Sequence, residues 1–155
     1  MFRAMRNNKK ALSQDMAEKL LQEGEYGVLA TVGEDGYPYA LPISYAYENN
    51  FIYLHGATVG HKLDNIAFNS KVSFTVVGDT EVLGEKFSTK YKSVVVFGQA
   101  QCLEGEEKKE ALMALVRKYS SEFMASGEAY INRAINNVSI IKIIPEHISA
   151  KGRLE

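Results

Sequence analysis

The sequence predicts a mainly β fold, an antiparallel β-barrel of six strands with peripheral helices. Three observations support this prediction. Runs of β-branched and aromatic residues follow one another with tight turns between them, as at Asp35-Gly36. Helical periodicity appears only at isolated places, near the ends and between strands. The regular alternation of strand and helix that a doubly wound parallel sheet requires is missing.

Each element can be assigned in chain order. Ser13 is a suitable N-cap for a first helix that ends at Glu23, before Gly24. Further helices are expected within 60–69, 106–123 and 129–135. The segment 79–90 is predicted to be a loop of about a dozen residues, a length typical of functional loops. The six expected strands lie within 26–32, 37–47, 51–55, 71–78, 91–105 and 138–145.

Composition excludes several classes of protein. Eighteen basic and nineteen acidic residues give a net charge of −1, which does not favour a nucleic-acid surface. The single Cys102 cannot form an internal disulfide, and its strand-like setting predicts a buried, inert thiol. No apolar run is long enough for a membrane span. We therefore expect one soluble cytoplasmic domain over 1–155.

The stretch Leu54–Leu63, LHGATVGHKL, contains two of the three histidines in the chain. His55 and His61 are six residues apart and no HExxH or CxxC pattern accompanies them, so a zinc site is not predicted. Phosphate loops of the Walker and Rossmann types are absent, and neither Cys102 nor Ser93 occupies a nucleophile elbow. Hydrolase chemistry is therefore disfavoured.

Anion binding remains possible on chemical grounds for Gly60-His61-Lys62. These residues begin a short predicted helix, where free backbone N–H groups and the positive end of the helix dipole attract negative charge. A lysine and a titratable histidine would complete a cradle for one phosphate group. The alternative is a surface helix with a solvated lysine and an incidental histidine. Spacing alone leaves both interpretations open.

Three segments in order carry a resemblance to a known family: YGVLATVGEDGYPYALPISYAY, FIYLHGATVGHKLDNIAFNSKVSFTVVG and YKSVVVFGQAQCL. Together they resemble the FMN-binding split-barrel proteins related to pyridoxamine 5'-phosphate oxidase. Within that family the chain is most similar to the nitroimidazole-resistance (Nim-type) subgroup. The resemblance implies a homodimer with FMN in a groove between two subunits, so that each site uses both chains.

The resemblance also implies roles for particular residues. His61 and Lys62 match the basic pair that holds the FMN phosphate, although His61 could instead face a substrate cavity. Residues 41–45 match the strand beside the isoalloxazine, and His55 with Gly56 lies beside the ribityl chain. Ser93, with its neighbour Tyr91, matches a flavin contact from the second subunit. The implied cofactor-binding residues are Leu41, Pro42, Ile43, Ser44, Tyr45, His55, Gly56, His61, Lys62, Tyr91 and Ser93.

Ordinary packing is the alternative for some of these residues. Ser44 and Tyr45 could be alternating strand residues, and Tyr91 could be part of the barrel wall. Ala40 and Tyr45 stand where pyridoxamine phosphate oxidases carry basic residues, which argues against that substrate. The resemblance favours an FMN-dependent oxidoreductase, flavin- or nitroreductase-like, that uses small-molecule electron donors and acceptors. The alternatives are a non-catalytic flavin- or haem-binding protein and, less favoured, a deazaflavin binder; no residue is assigned as catalytic.

Overall fold

The computed structural model describes residues 1–155 and contains one antiparallel sheet with helices packed against it. The helices are α1 (Gln14–Glu23), α2 (His61–Phe68), α3 (Gly105–Tyr119) and α4 (Met124–Ala134). The strands are β1 (Gly27–Val32), β2 (Pro38–Ile43), β3 (Tyr45–Glu48), β4 (Phe51–Gly56), β5 (Lys71–Leu83), β6 (Ser88–Cys102) and β7 (Ser139–Arg153). Their order across the sheet is β2-β1-β5-β6-β7-β4-β3.

The predicted antiparallel split barrel is confirmed, but the predicted number of strands is wrong. The segment 37–47 forms two strands, β2 and β3, separated by Ser44 alone. These two strands lie at opposite ends of the strand order and do not pair with each other. A one-residue connection therefore joins the two edge strands of the sheet. The sheet must curve until these edges meet, although β2 and β3 form no hydrogen-bonded pair. Pro42 cannot donate a ladder hydrogen bond, which suits a strand at an edge.

The prediction of a loop over 79–90 is wrong, because β5 and β6 continue through it as a long hairpin. The register shifts between Gly78 and Glu81, and this bulge breaks the alternation that sequence patterns rely on. Beyond the bulge, the Lys90 ammonium lies 3.5 Å from the Glu81 carboxylate across the two strands. A tight turn follows, closed by Phe87 in the left-handed region with φ 49°.

The last strand is longer than predicted, since β7 continues past Pro145 to Arg153. A register shift opposite Phe97 and Gly98 accommodates the proline, which cannot donate to the ladder. Cys102, the last residue of β6, is exposed rather than buried. The predicted burial of this thiol is therefore wrong, because the strand ends there on its solvent side.

Local signals at turns and caps are confirmed. The Ser13 hydroxyl accepts a hydrogen bond from the Met16 backbone N–H at 3.2 Å, and α1 ends before Gly24. Asn49 and Asn50 form the β3–β4 turn with φ values of 54° and 66°. Asparagine tolerates this conformation better than most residues.

Two hydrophobic clusters hold the elements together. The larger fills the barrel interior beneath α1 and includes Leu21, Phe74 and Ile143. The smaller lies between α3, α4 and the β3–β4–β7 side of the sheet, and it includes Leu115 and Ile140. No helix combines the length and the apolar character that a bilayer crossing requires.

Candidate functional site

The start of α2 and the end of β4 form a small cradle with a cation in it. The Lys62 side chain extends back across Gly56, so that a Cβ placed on Gly56 would lie 2.7 Å from Lys62 Nζ. Gly60 precedes the helix with φ 152°, and no side chain caps the helix start. The first N–H groups of α2 are therefore available to an anion, and the Lys62 ammonium of the same turn lies at Gly56.

His61, the first residue of α2, stacks on Tyr39 of β2, with ring centroids 3.9 Å apart. The helix is fixed to the barrel by the buried Asn65 side chain, whose Nδ2 donates to Thr31 Oγ1 at 2.9 Å. Asn65 and Ile66 are the buried residues of this helix, whereas Ala67 is exposed. The helix start is thus held against the edge of β2, where the predicted flavin strand lies.

Strand β2 contributes backbone more than side chains to the surface beside the cradle. Leu41 and Ile43 pack against the barrel core, whereas Pro42 is exposed. No strand pairs with the outer edge of β2. Any planar ligand lying along this edge would therefore meet backbone atoms and the proline ring.

Tyr45 has a core environment that leaves none of its polar groups free. Its side chain is fully buried, and the phenol donates to the Leu21 carbonyl at 2.5 Å. Its backbone N–H donates to the Tyr119 hydroxyl at 3.0 Å, and its carbonyl accepts from Lys118 Nζ at 2.8 Å. Burial raises the pKa of this phenol. Tyr45 therefore has no free polar group with which to make the predicted cofactor contact.

Ser44 and His55 both line a cavity of about 540 Å³ between the sheet and the helices α3 and α4. Burial lowers the pKa of His55, and the nearby Lys62 ammonium lowers it further. The imidazole is therefore neutral over a wider pH range than a solvated histidine. His55 stands between the cationic cradle and this largely apolar cavity.

Tyr91 and Ser93 lie far from the cradle within one chain. Through β7, the register brings Cys102 of β6 level with Leu54, the neighbour of His55. Ser93 is nine residues earlier in β6, which is about 30 Å along the strand at roughly 3.3 Å per residue. It is buried, and its hydroxyl donates to the β7 backbone at 3.3 Å. One copy of the chain therefore brings together 41–43, 55–56 and 61–62 but not 91–93.

Two residues near the site were not predicted from the sequence. Tyr39 supports His61, and Lys118 lies 3.5 Å above the Tyr45 ring with its pKa lowered to about 8 by burial. Both contacts join residues far apart in the chain. No local pattern in the sequence signals such contacts.

A half-open antiparallel barrel whose basic helix start lies against one sheet edge defines the split-barrel class. The sequence profile described as pyridoxamine 5'-phosphate oxidase matches residues 13–152, nearly the whole chain. The chain belongs to that family. A comparison with curated protein sequences gave no match.

Solved structures with the same fold include two proteins whose descriptions name FAD. A proposed 5-nitroimidazole antibiotic resistance protein from Bacteroides thetaiotaomicron has a TM-score of 0.80 and 23% identity, over 92% of this chain and 86% of that one. The FAD and haem binding protein of Mycobacterium smegmatis has a TM-score of 0.80 and 22% identity, over 92% and 73%. An FAD-binding protein from Mesorhizobium loti has a TM-score of 0.66 and 23% identity, over 93% and 97%. At these identities the similarity shows the fold.

Proposed function

We propose that the protein is an FMN-binding oxidoreductase, flavin- or nitroreductase-like, whose two sites lie at the interface of a homodimer. The observation that carries the proposal is the position of Lys62 Nζ above Gly56 at the uncapped start of α2. A terminal phosphate needs a cation and backbone donors close together, and this arrangement offers both. Relatives described as FAD-binding support a flavin at this fold.

The residues present fit the different parts of FMN. Lys62, with the first N–H groups of α2, would hold the phosphate. The missing side chain at Gly56 leaves room for the end of the Lys62 side chain. The unpaired edge of β2 would offer backbone groups to the polar side of the ring. Pro42 would cover part of the ring face. These residues bind and orient the cofactor, which supplies reversible two-electron chemistry when bound.

A second subunit would be needed for 91–93 to reach His55, because they lie about 30 Å along β6 from the level of that residue within one chain. The outward face of β1, β5 and β6 supports this requirement. Val28, Val77 and Phe97 on these adjacent strands are 36%, 57% and 40% exposed. Apolar side chains grouped on an open sheet face are typical of subunit interfaces.

Oxidation of a nicotinamide donor, measured with and without added FMN, tests the enzymatic part of the proposal. We expect FMN-dependent oxidation above the rate of free FMN. The same assay with Gly60→Ala should show a weaker response to FMN, because φ 152° strains any residue with a Cβ. A rate that never exceeds that of free FMN would contradict turnover for that donor and favour a protein that only binds flavin.

The shared site can be tested through the interface alone. Phe97→Asp places a charge on the apolar face, far along β6 from the cradle, and should give monomers by sedimentation. If both subunits build each site, this variant should also lose flavin affinity. Gln101→Asp, an exposed residue of the same strand, is the matched control. A monomeric Phe97→Asp variant that binds flavin like the wild type would contradict the shared site.

A further inference from the structure

The cavity between α3, α4 and the sheet differs in chemistry from the cradle beside it. Its volume is about 540 Å³, within the range of sites that hold small organic molecules. Ten of its fifteen lining residues are hydrophobic. The walls are formed mainly by aliphatic and aromatic side chains of the two helices, among them Leu112, Leu115, Val116, Tyr130, Ile131 and Ile135.

No lysine, arginine, aspartate or glutamate lines this cavity. Its polar groups are serine and tyrosine hydroxyls and the His55 imidazole, whose pKa is lowered by partial burial and by the Lys62 ammonium. The Tyr119 hydroxyl is already bonded to the Glu25 carbonyl at 2.5 Å. The His55 imidazole and four hydroxyl groups are left to orient a ligand by neutral hydrogen bonds, those of Ser44, Ser120, Ser126 and Tyr130.

We propose that this cavity binds an uncharged aromatic molecule. Apolar walls favour ring surface by about 25 cal/mol per Å² removed from water, and a tyrosine ring offers a stacking face. The cavity is partly open, since Phe123 and Tyr130 are 64% and 62% exposed, so a charged group would lose part of its hydration there without meeting an opposite charge. The neutral donors suit a carbonyl or nitro oxygen on the ring.

The cavity adjoins the flavin edge through Ser44 and His55. The position of the flavin next to the cavity rests on the proposed function, whereas the binding of an aromatic molecule in the cavity does not. A phosphorylated substrate such as pyridoxamine phosphate would meet no lysine or arginine among the lining residues. The cavity therefore selects against anionic ring compounds.

Calorimetric titration with two probes of the same ring system tests this inference. Naphthoquinone is uncharged, and its sulfonated derivative carries a permanent negative charge. We expect the wild-type protein to bind naphthoquinone at least tenfold more tightly than the sulfonate. Equal affinity for both probes, or tighter binding of the sulfonate, would overturn the proposal.

Position 126 provides variants that locate the binding. Ser126 is an exposed residue of α4 that lines the cavity, whereas its neighbour Ala125 is exposed and does not. Ser126→Phe should weaken naphthoquinone binding at least tenfold, and Ala125→Phe should leave it unchanged. Ser126→Lys should improve sulfonate binding at least tenfold by supplying a counter-charge. Identical effects of the two phenylalanine variants, or no effect of either, would overturn the assignment to this cavity.

A parallel FMN titration of the same variants separates this inference from the proposed function. We expect Ser126→Phe to keep its flavin affinity. Loss of flavin binding in that variant alone would mean that the flavin ring itself fills the cavity, which would overturn the inference. A wild-type protein that ignores FMN but discriminates between the two quinones would support the inference and contradict the proposed function.

Discussion

Two glycine-to-alanine changes in strands should have opposite consequences, and the contrast tests the cradle. A Cβ on Gly56 meets the flexible end of Lys62, with Nζ at 2.7 Å and Cε at 3.1 Å. A Cβ on Gly27 meets the ring of Phe74, which is fully buried in the barrel core. The lysine can move away, whereas the packed ring cannot.

Gly56→Ala should therefore displace the ammonium and weaken flavin binding without unfolding the protein. A hydrogen bond to a charged group contributes about 1.5–3 kcal/mol, so we expect Kd for FMN to rise about 10- to 150-fold. Gly27→Ala overfills the core at a cost of about 1–3 kcal/mol. With about 2–4 °C per kcal/mol for a chain of this size, Tm should fall by about 2–12 °C.

Fluorescence titration with FMN and thermal unfolding of both variants provide the measurements. Gly56→Ala should melt within about 2 °C of the wild type, since its backbone conformation needs no glycine. Wild-type flavin affinity in Gly56→Ala would refute the phosphate cradle. A large loss of Tm in Gly56→Ala would instead show that the glycine has a packing role.

Three further predictions concern buried and charged groups. Tyr45→Phe leaves the Leu21 carbonyl without its 2.5 Å partner and should lower the free energy of unfolding by about 1–3 kcal/mol in urea titrations, with flavin affinity unchanged. Partial burial lowers the pKa of His55 in the folded protein, so around pH 6.5 and below the unfolded chain binds more protons than the folded one. The free energy of unfolding should therefore fall as the pH drops through about 6.5. His55→Gln should make this dependence on pH less steep. Arg117 and Glu48 form a partly exposed pair at 2.8 Å, so Glu48→Gln should cost less than about 1 kcal/mol, and a larger loss would contradict its surface character.

Local chemistry explains which parts of the fold could be predicted. The Ser13 cap, the Asp35-Gly36 turn and the short helix after Gly60 depend on neighbouring residues, and the structure confirms all three. The division of 37–47 at Ser44 was missed because it depends on the two sheet edges meeting there. The 79–90 hairpin was missed because a bulge at Gly78 breaks the period of two.

The same distinction applies to the candidate site. Gly60, His61 and Lys62 could be placed at the start of a helix because helix-start chemistry is local, whereas their phosphate-binding role was implied by the family resemblance. Tyr39 against His61 could not, since the contact depends on how α2 packs across the barrel. The wall that α3 and α4 form around the cavity of about 540 Å³ was also missed, because the residues of this wall show only the period of amphipathic helices. Helical periodicity predicts burial and does not distinguish a filled core from a cavity.

The visible absorption spectrum of the purified protein, titrated with FMN, tests the central claim most directly. The account predicts flavin bands that co-migrate with the wild type and weaken in Lys62→Ala. Lys19→Ala is the charge-matched control. That lysine is 70% exposed on α1, and its ammonium lies 4.0 Å from the Glu23 carboxylate in a weak ion pair. Its spectrum should match the wild type. A protein that ignores FMN, or that shows a Soret band in place of flavin bands, would contradict the account.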